Sequence, residues 1–257
     1  MAKKKRGRRA SSGSLGSLRS SGLSRSSGLS RSSKSSRSSG LSPHRADAEH
    51  IVEICRRLHQ RFWLSSADGN VSIRLDDERI LITPTGLHKG FIEWRDLALV
   101  DRDGQVLWGK PSSEKLMHLE IYRRLPLARA IVHPHPPHSI AWSVARPDWK
   151  ELPIDALTEL VLAVGRIPIA PYALPGTQQM GDVLFPDLES TRVMILARHG
   201  ALAWGESLEE AYNGIERIEH ASMILAAAHA MGGITCLPAD EFARLRVLRE
   251  KLGPRTL

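Results

Sequence analysis

Hydrophobic and polar positions show no period over residues 1–45, and from Ala46 onward a period begins at once. The run ADAEHIVEICRRLHQRFW, 46–63, sets Ile51, Ile54, Cys55 and Leu58 on one face at helical spacing. Asp47 and Glu49 fall in its first turn, where negative charge suits the helix dipole. After the turn SSADGN, VSIRL alternates as a short strand, and RILIT, closed by PTG, gives another. LALVDRDGQVLWG reads as a hairpin with Asp103-Gly104 in its turn.

The pattern returns to helical spacing in SSEKLMHLEIYRRL, where Ser112 or Ser113 can cap the first turn. ARAIV, 128–132, is an apolar strand that feeds HPHPPH, and Pro136-Pro137 open a helix through HSIAWSVA. VMILA, 193–197, is a further apolar strand ending at Arg198-His199-Gly200. Two helices close the chain, SLEEAYNGIERIEHASMILAAAHAM and a segment from about Asp240 to Leu252. Strands and helices mix without a clean βαβ repeat. That order predicts a single α/β domain over 46–257, with helices on both sides of a sheet.

Charge sharpens the division of the chain. The formal net charge is +8, but 12 of the 36 Lys and Arg lie in residues 1–46, which hold no Asp or Glu. Removing those 12 leaves 24 basic against 28 acidic residues, so the body carries −4. A mildly acidic body is no nucleic-acid binder by charge. The Ser-, Arg- and Gly-rich segment 1–45, in which SGLSR recurs, has too little apolar surface to offset the entropy of ordering and is expected to be disordered. Its KKKRGRR run could attract nucleic acid or another polyanion, but no aromatic is interleaved for base stacking, so an inert leader is the favoured reading. Two distant cysteines, no spanning apolar run and no secretory h-region place the expected protein in the cytoplasm.

Chemistry concentrates at the strand ends. His133 and His135 stand two apart on an extended segment and so point the same way. Proline at 134 and 136 stiffens their backbone. His199 ends another apolar strand and is the natural third ligand of a catalytic metal with one open position. A lone strand-end histidine would more often bond a neighbouring loop, whereas an H-x-H pair with a third favours metal. His138, one turn into a helix, is assigned a supporting place. Three loops rich in small residues, around Gly69-Asn70, Thr85-Gly86 and Ser112-Ser113, offer N–H and hydroxyl groups for a phosphate. Glu114 follows the serine pair and reads either as a first-turn carboxylate or as a general base beside the metal.

The ordered motifs GNVS, LITPTG, GKPSSE, HLEIY, AIVHPH, IPIAPY, GT and RHG, spread over about residues 47–230, resemble the class II aldolase/adducin family. The likeness is to its sugar-phosphate aldolase branch, typified by the fuculose-phosphate aldolases. The resemblance implies one α/β domain around a mostly antiparallel sheet, assembled as a homotetramer. It implies one zinc per chain on His133, His135 and His199, with Glu114 as acid/base. It places substrate phosphate on Gly69, Asn70, Thr85, Gly86, Ser112 and Ser113. The implied reaction is cleavage of a phosphorylated ketose to dihydroxyacetone phosphate and an aldehyde. A dehydratase, a decarboxylase, a 4-epimerase and a non-catalytic adducin-like module are the alternatives. The epimerase branch tends to carry Asp at the position of Glu114, and adducin-type relatives lack the full metal set. One departure stands out. The family's proton-donating tyrosine, supplied by a neighbouring subunit, aligns within PIDALTELVLAVG, where this chain has Leu157.

Overall fold

The computed structural model describes residues 40–185 and 187–255. The basic tail therefore lies outside the described residues up to position 39. Its last positions do not belong to it: Leu41 is fully buried, and a Cβ on Gly40 would meet the Trp108 ring at 2.8 Å. The packed body thus starts ahead of the expected boundary at residue 46.

Helix α1 (Arg45–Gln60) buries Ile51, Ile54, Cys55 and Leu58, the face its spacing predicts. It stops short of Trp63. Phe62 takes a left-handed φ of 61°, and the Trp63 N–H reaches back to the Leu58 carbonyl at 2.9 Å, a terminating motif usually built on glycine. Trp63 is thereby swung into the core, a tertiary gain that helical periodicity cannot register. Strands β1 (Asn70–Arg74), β2 (Arg79–Ile82), β3 (Ala98–Asp101) and β4 (Val106–Trp108) follow, and Gly104 turns the last pair at φ 85°.

Helix α2 (Lys115–Arg124) begins later than the serine pair suggests. Its N-cap is Glu114, and neither serine caps the helix; Ser112 Oγ instead accepts the Glu114 N–H at 3.2 Å. Next come β5 (Ala130–His133), α3 (Pro137–Ala145), α4 (Thr158–Ala163), β6 (Ile169–Ala170), α5 (Gln178–Asp182) and α6 (Asp187–Ser190). β7 (Val193–Leu196), β8 (Gly200–Gly205), α7 (Leu208–Ala230) and α8 (Ala239–Leu252) complete the chain. Ser207 caps α7 by accepting the Glu210 N–H at 3.1 Å.

The strands form one eight-stranded sheet in the order β4-β3-β2-β1-β5-β8-β7-β6. Every neighbouring pair is antiparallel except β6 and β7, which are parallel. This is the mostly antiparallel sheet the resemblance implies. Both faces are covered. Ala130 and Val132 of β5 face a core shared with α1, α4 and α7, while Ile131 between them faces a second core with Met117, Ile121 and Met180. Cys55 is buried, Cys236 is exposed and neither is bridged. No helix among the described residues is long and apolar enough to cross a membrane.

Candidate active site

The centre of the sheet places the histidines. β5 lies between β1 and β8, and its register sets Asn70 directly opposite His133. His133, His135 and His199 come from the end of β5 and from the β7–β8 turn. Their rings form a near-equilateral triangle, with centroids 4.8, 4.9 and 5.1 Å apart. One ligand atom from each lies within 4.8 Å of the others.

The backbone around them is tied down. His135 N–H donates to the Trp63 carbonyl at 2.8 Å, and Ala201 N–H donates to the Pro134 carbonyl at 3.0 Å. A Cβ at Gly200 would meet Pro134 O at 2.5 Å and ring carbons of His133 and His135 at 2.9 Å, so only glycine lets β8 pass this close. The next anchor sits under α3. Buried Glu219 accepts the N–H groups of His138 and Ser139 at 3.1 and 3.0 Å, and its carboxylate also holds His138 Nδ1 at 2.8 Å. His138 therefore turns away from the other histidines and fastens the loop that carries them.

Hydrogen bonding settles which ring nitrogens are free. His133 Nδ1–H donates to the Ala201 carbonyl at 2.8 Å, so Nε2 is the ring nitrogen left free of the backbone. That Nε2, and Nε2 of His135, are buried with no hydrogen-bond partner. Buried orphan nitrogens are rare in folded proteins, and two aimed into one cluster fit a metal ion. Burial first, then the neighbouring His133 and His199, bring His135 down to about 3, so its imidazole stays neutral and able to ligate. Three imidazoles with one position left open are the donor set of a catalytic zinc.

Glu114 stands against this cluster, its Oε2 3.4 Å from His133 Nε2 and its Oε1 3.3 Å from His199 Nε2. Burial alone would raise its pKa, but the two imidazoles outweigh that and hold the carboxyl well below the usual range. Asn70 Nδ2 donates to Glu114 Oε2 at 2.6 Å. Behind Asn70 runs a buried chain that sequence reasoning missed. With its amide nitrogen turned to the carboxylate, Asn70 presents Oδ1 to His118 Nε2–H. His118 Nδ1 then accepts from Ser72 Oγ at 2.7 Å, and Ser72 accepts from the Tyr122 hydroxyl at 2.7 Å. Burial, then the repulsion of His133, lowers His118 to about 3 and keeps it neutral. The spacing of HLEIY, with His118 and Tyr122 four apart on one helical face, was the only sequence signal for this chain.

In front of the imidazoles opens a cavity of about 280 Å³. Gly69, Asn70, Thr85, Ser112, Ser113, Glu114, His135 and His199 are on its walls, so β1, α2 and the β2–β3 connection converge there. His133 lies behind the wall at 0% exposure, and Gly86 is not among the lining residues. Gly69 is fixed by two constraints: its φ is 69°, and a Cβ would strike Leu64 at 2.4 Å and the His133 carbonyl at 2.7 Å. Leu157 sits where a short 3-10 turn meets α4 and packs on the core.

The sequence matches the Class II Aldolase and Adducin N-terminal domain family over residues 49–226. It is 34% identical over 202 residues to the 3-oxo-tetronate 4-phosphate decarboxylase of Escherichia coli K12, covering 77% of this chain and 94% of that protein. It is 35% identical over 173 residues to the L-fuculose phosphate aldolase of Methanococcus vannielii, covering 67% of this chain and 92% of that protein. Among solved structures, YgbL from Escherichia coli superimposes with a TM-score of 0.72 at 32% identity, over 79% of this chain and 99% of that one.

Proposed function

The chain belongs to the class II aldolase and adducin family, and from that premise we propose that it is a zinc-dependent carbon–carbon lyase for a small phosphorylated keto sugar acid, releasing carbon dioxide. The observation that carries this reading is the pair of buried, partnerless Nε2 atoms of His133 and His135 grouped with His199 and faced by Glu114. His133, His135 and His199 would hold the ion. When bound, it supplies Lewis-acid stabilisation of the charge that develops on the substrate carbonyl oxygen.

The remaining work falls to the chain's own residues. Gly69, Asn70, Thr85, Ser112 and Ser113 grip the phosphate, Gly86 at φ 70° turns the loop that carries Thr85, and together they set the distance from phosphate to reacting carbon, which supplies proximity. In a 3-oxo acid the bond to the carboxylate carbon breaks and its electron pair stays on the neighbouring carbon as an enediolate. Carbon dioxide leaves, and Glu114, ionised at rest, relays a proton taken from solvent to that carbon. Asn70 occupies Oε2, which leaves Oε1 as the atom that carries the proton. The product is then dihydroxyacetone phosphate, the same fragment that cleavage of fuculose 1-phosphate would leave.

That shared fragment explains how one site serves both chemistries among relatives. The choice between them turns on the second proton. Aldol cleavage must also take a proton from the hydroxyl that becomes the aldehyde, the task of the family's tyrosine; the side chain of Leu157 has no group to do it. Loss of carbon dioxide needs no such group. The longer match to a decarboxylase, 202 residues against 173 for the aldolase at similar identity, supports the same order, and moves decarboxylation ahead of the aldol cleavage expected from sequence. A cytoplasmic homotetramer remains part of the proposal.

The test is to offer the zinc-loaded protein a 3-oxo-tetronate 4-phosphate and, separately, phosphorylated ketoses. Dihydroxyacetone phosphate is read by coupled reduction and carbon dioxide by its release. Release of both from the keto acid is expected. Product from a ketose alone would return the assignment to aldolase, and no product with any of them would sink the lyase reading.

A further inference from the structure

Lys89 opens the short 3-10 turn Lys89–Phe91, where a lysine would ordinarily project into solvent, yet it is 1% exposed. Its Nζ donates to the Ala67 carbonyl at 2.8 Å and to the Leu87 carbonyl at 3.0 Å. These carbonyls belong to the two loops that carry Gly69-Asn70 and Thr85-Gly86. An ammonium has three hydrogens, and no partner for the third is found among the described residues. Lys89 is also on the wall of the cavity in front of the histidines.

Of the residues lining that cavity, Lys89 is the only lysine or arginine, while Asp68 and Glu114 add two carboxylates. Hydroxyls and N–H groups alone, beside two negative charges, would hold a phosphate dianion poorly. No carboxylate lies within 4.0 Å of Nζ among the described residues; Asp68 and Glu114 act on it only at longer range. A buried cation without an ion-pair partner is costly unless something else compensates it. An anion in the cavity would do so.

We propose that Lys89 supplies the positive charge of the phosphate cradle, binding a phosphate oxygen of the substrate with its third N–H while it ties the two cradle loops together. The inference rests on the phosphate cradle of the proposed function and adds its charged member. Burial pulls the Lys89 pKa down, and a bound phosphate would restore the charged form.

The test uses the zinc-loaded full chain and calorimetric titration with inorganic phosphate and, as an uncharged control, dihydroxyacetone. Lys89→Gln keeps donors for the two carbonyls but drops the charge. It is expected to weaken phosphate binding about tenfold or more, with zinc content, melting temperature and dihydroxyacetone binding unchanged. Equal loss of both ligands would make Lys89 a loop staple only and overturn the proposal. Unchanged phosphate affinity would overturn it while leaving the cradle standing. Failure of the wild type to bind phosphate would remove cradle and proposal together. Should the variant not fold, the wild-type ammonium signal of Lys89 in a lysine-selective proton–nitrogen spectrum gives the same decision: it must respond to added phosphate, and a silent signal overturns the proposal.

Discussion

The two halves of the site are built in opposite ways. The imidazole cluster is made of side chains projected from the end of β5 and the β7–β8 turn, at the middle of the sheet, with the N–H groups of His135, His199 and Ala201 all bonded to backbone carbonyls. The cradle is made of loops from β1, the β2–β3 connection and the start of α2, and it is lined by glycine and by residues with short hydroxyl and amide side chains. The difference matches the task. A metal demands fixed nitrogen positions, which a sheet provides. A phosphate accepts from many directions, so donors on separate loops, with the charge of Lys89 among them, can share it. The strand-end half should therefore fail abruptly when altered, and the cradle half by degrees.

The largest effect is expected at His133. His133→Ala removes a fully buried imidazole of the proposed metal site, so metal content by elemental analysis and turnover should both fall to background. Glu114→Gln should separate the two properties: metal is retained while kcat drops about a hundred- to ten-thousand-fold, the usual worth of a positioned acid/base. Full activity in that variant would take Glu114 out of the reaction.

Gly200→Ala probes the rigidity of the strand-end half without touching a ligand. The added methyl would sit 2.5 Å from the Pro134 carbonyl. Overpacking of this kind costs about 1–3 kcal/mol, read as a lower melting temperature and weaker metal retention. An unchanged melting temperature would show that the histidine loops can give way.

The effect that is smallest near neutral pH concerns acid stability. The folded state holds His118 at about 3 against an ordinary 6.5. Between those values the unfolded chain takes up a proton that the native state refuses. Stability contributed by neutral His118 is therefore whole above pH 6.5 and falls as pH drops toward 3, by about 1.4 kcal/mol per pH unit. In denaturant melts, His118→Gln should lose that part of the acid slope, and an identical slope in the variant would refute it.

Most elements were readable because their patterns are local. α1 announced its buried face, and the hairpin of β3 and β4 announced its Asp-Gly turn. β8 was not readable. GALAWG is buried on both faces, so it has no alternation, and alanine and glycine carry little strand preference. It becomes a strand only because β5 and β7 flank it. His133, His135, His199 and Glu114 could be picked out by residue type and position. His118 and Lys89 could not, since a helix histidine and a turn lysine look like surface residues until burial is known.

The sequence by itself determined the family, the class of fold and the inventory of groups: three histidines, one glutamate and three small-residue loops. These follow from short-range spacing and from the order of motifs along the chain. Only the tertiary structure decided that Asn70 faces His133 across two strands, that His133 and His135 are left with free buried nitrogens, and that one lysine is drawn in beside the cradle. Each of these depends on segments tens of residues apart meeting at one place in the sheet, and long-range register is fixed by packing, which no local pattern encodes.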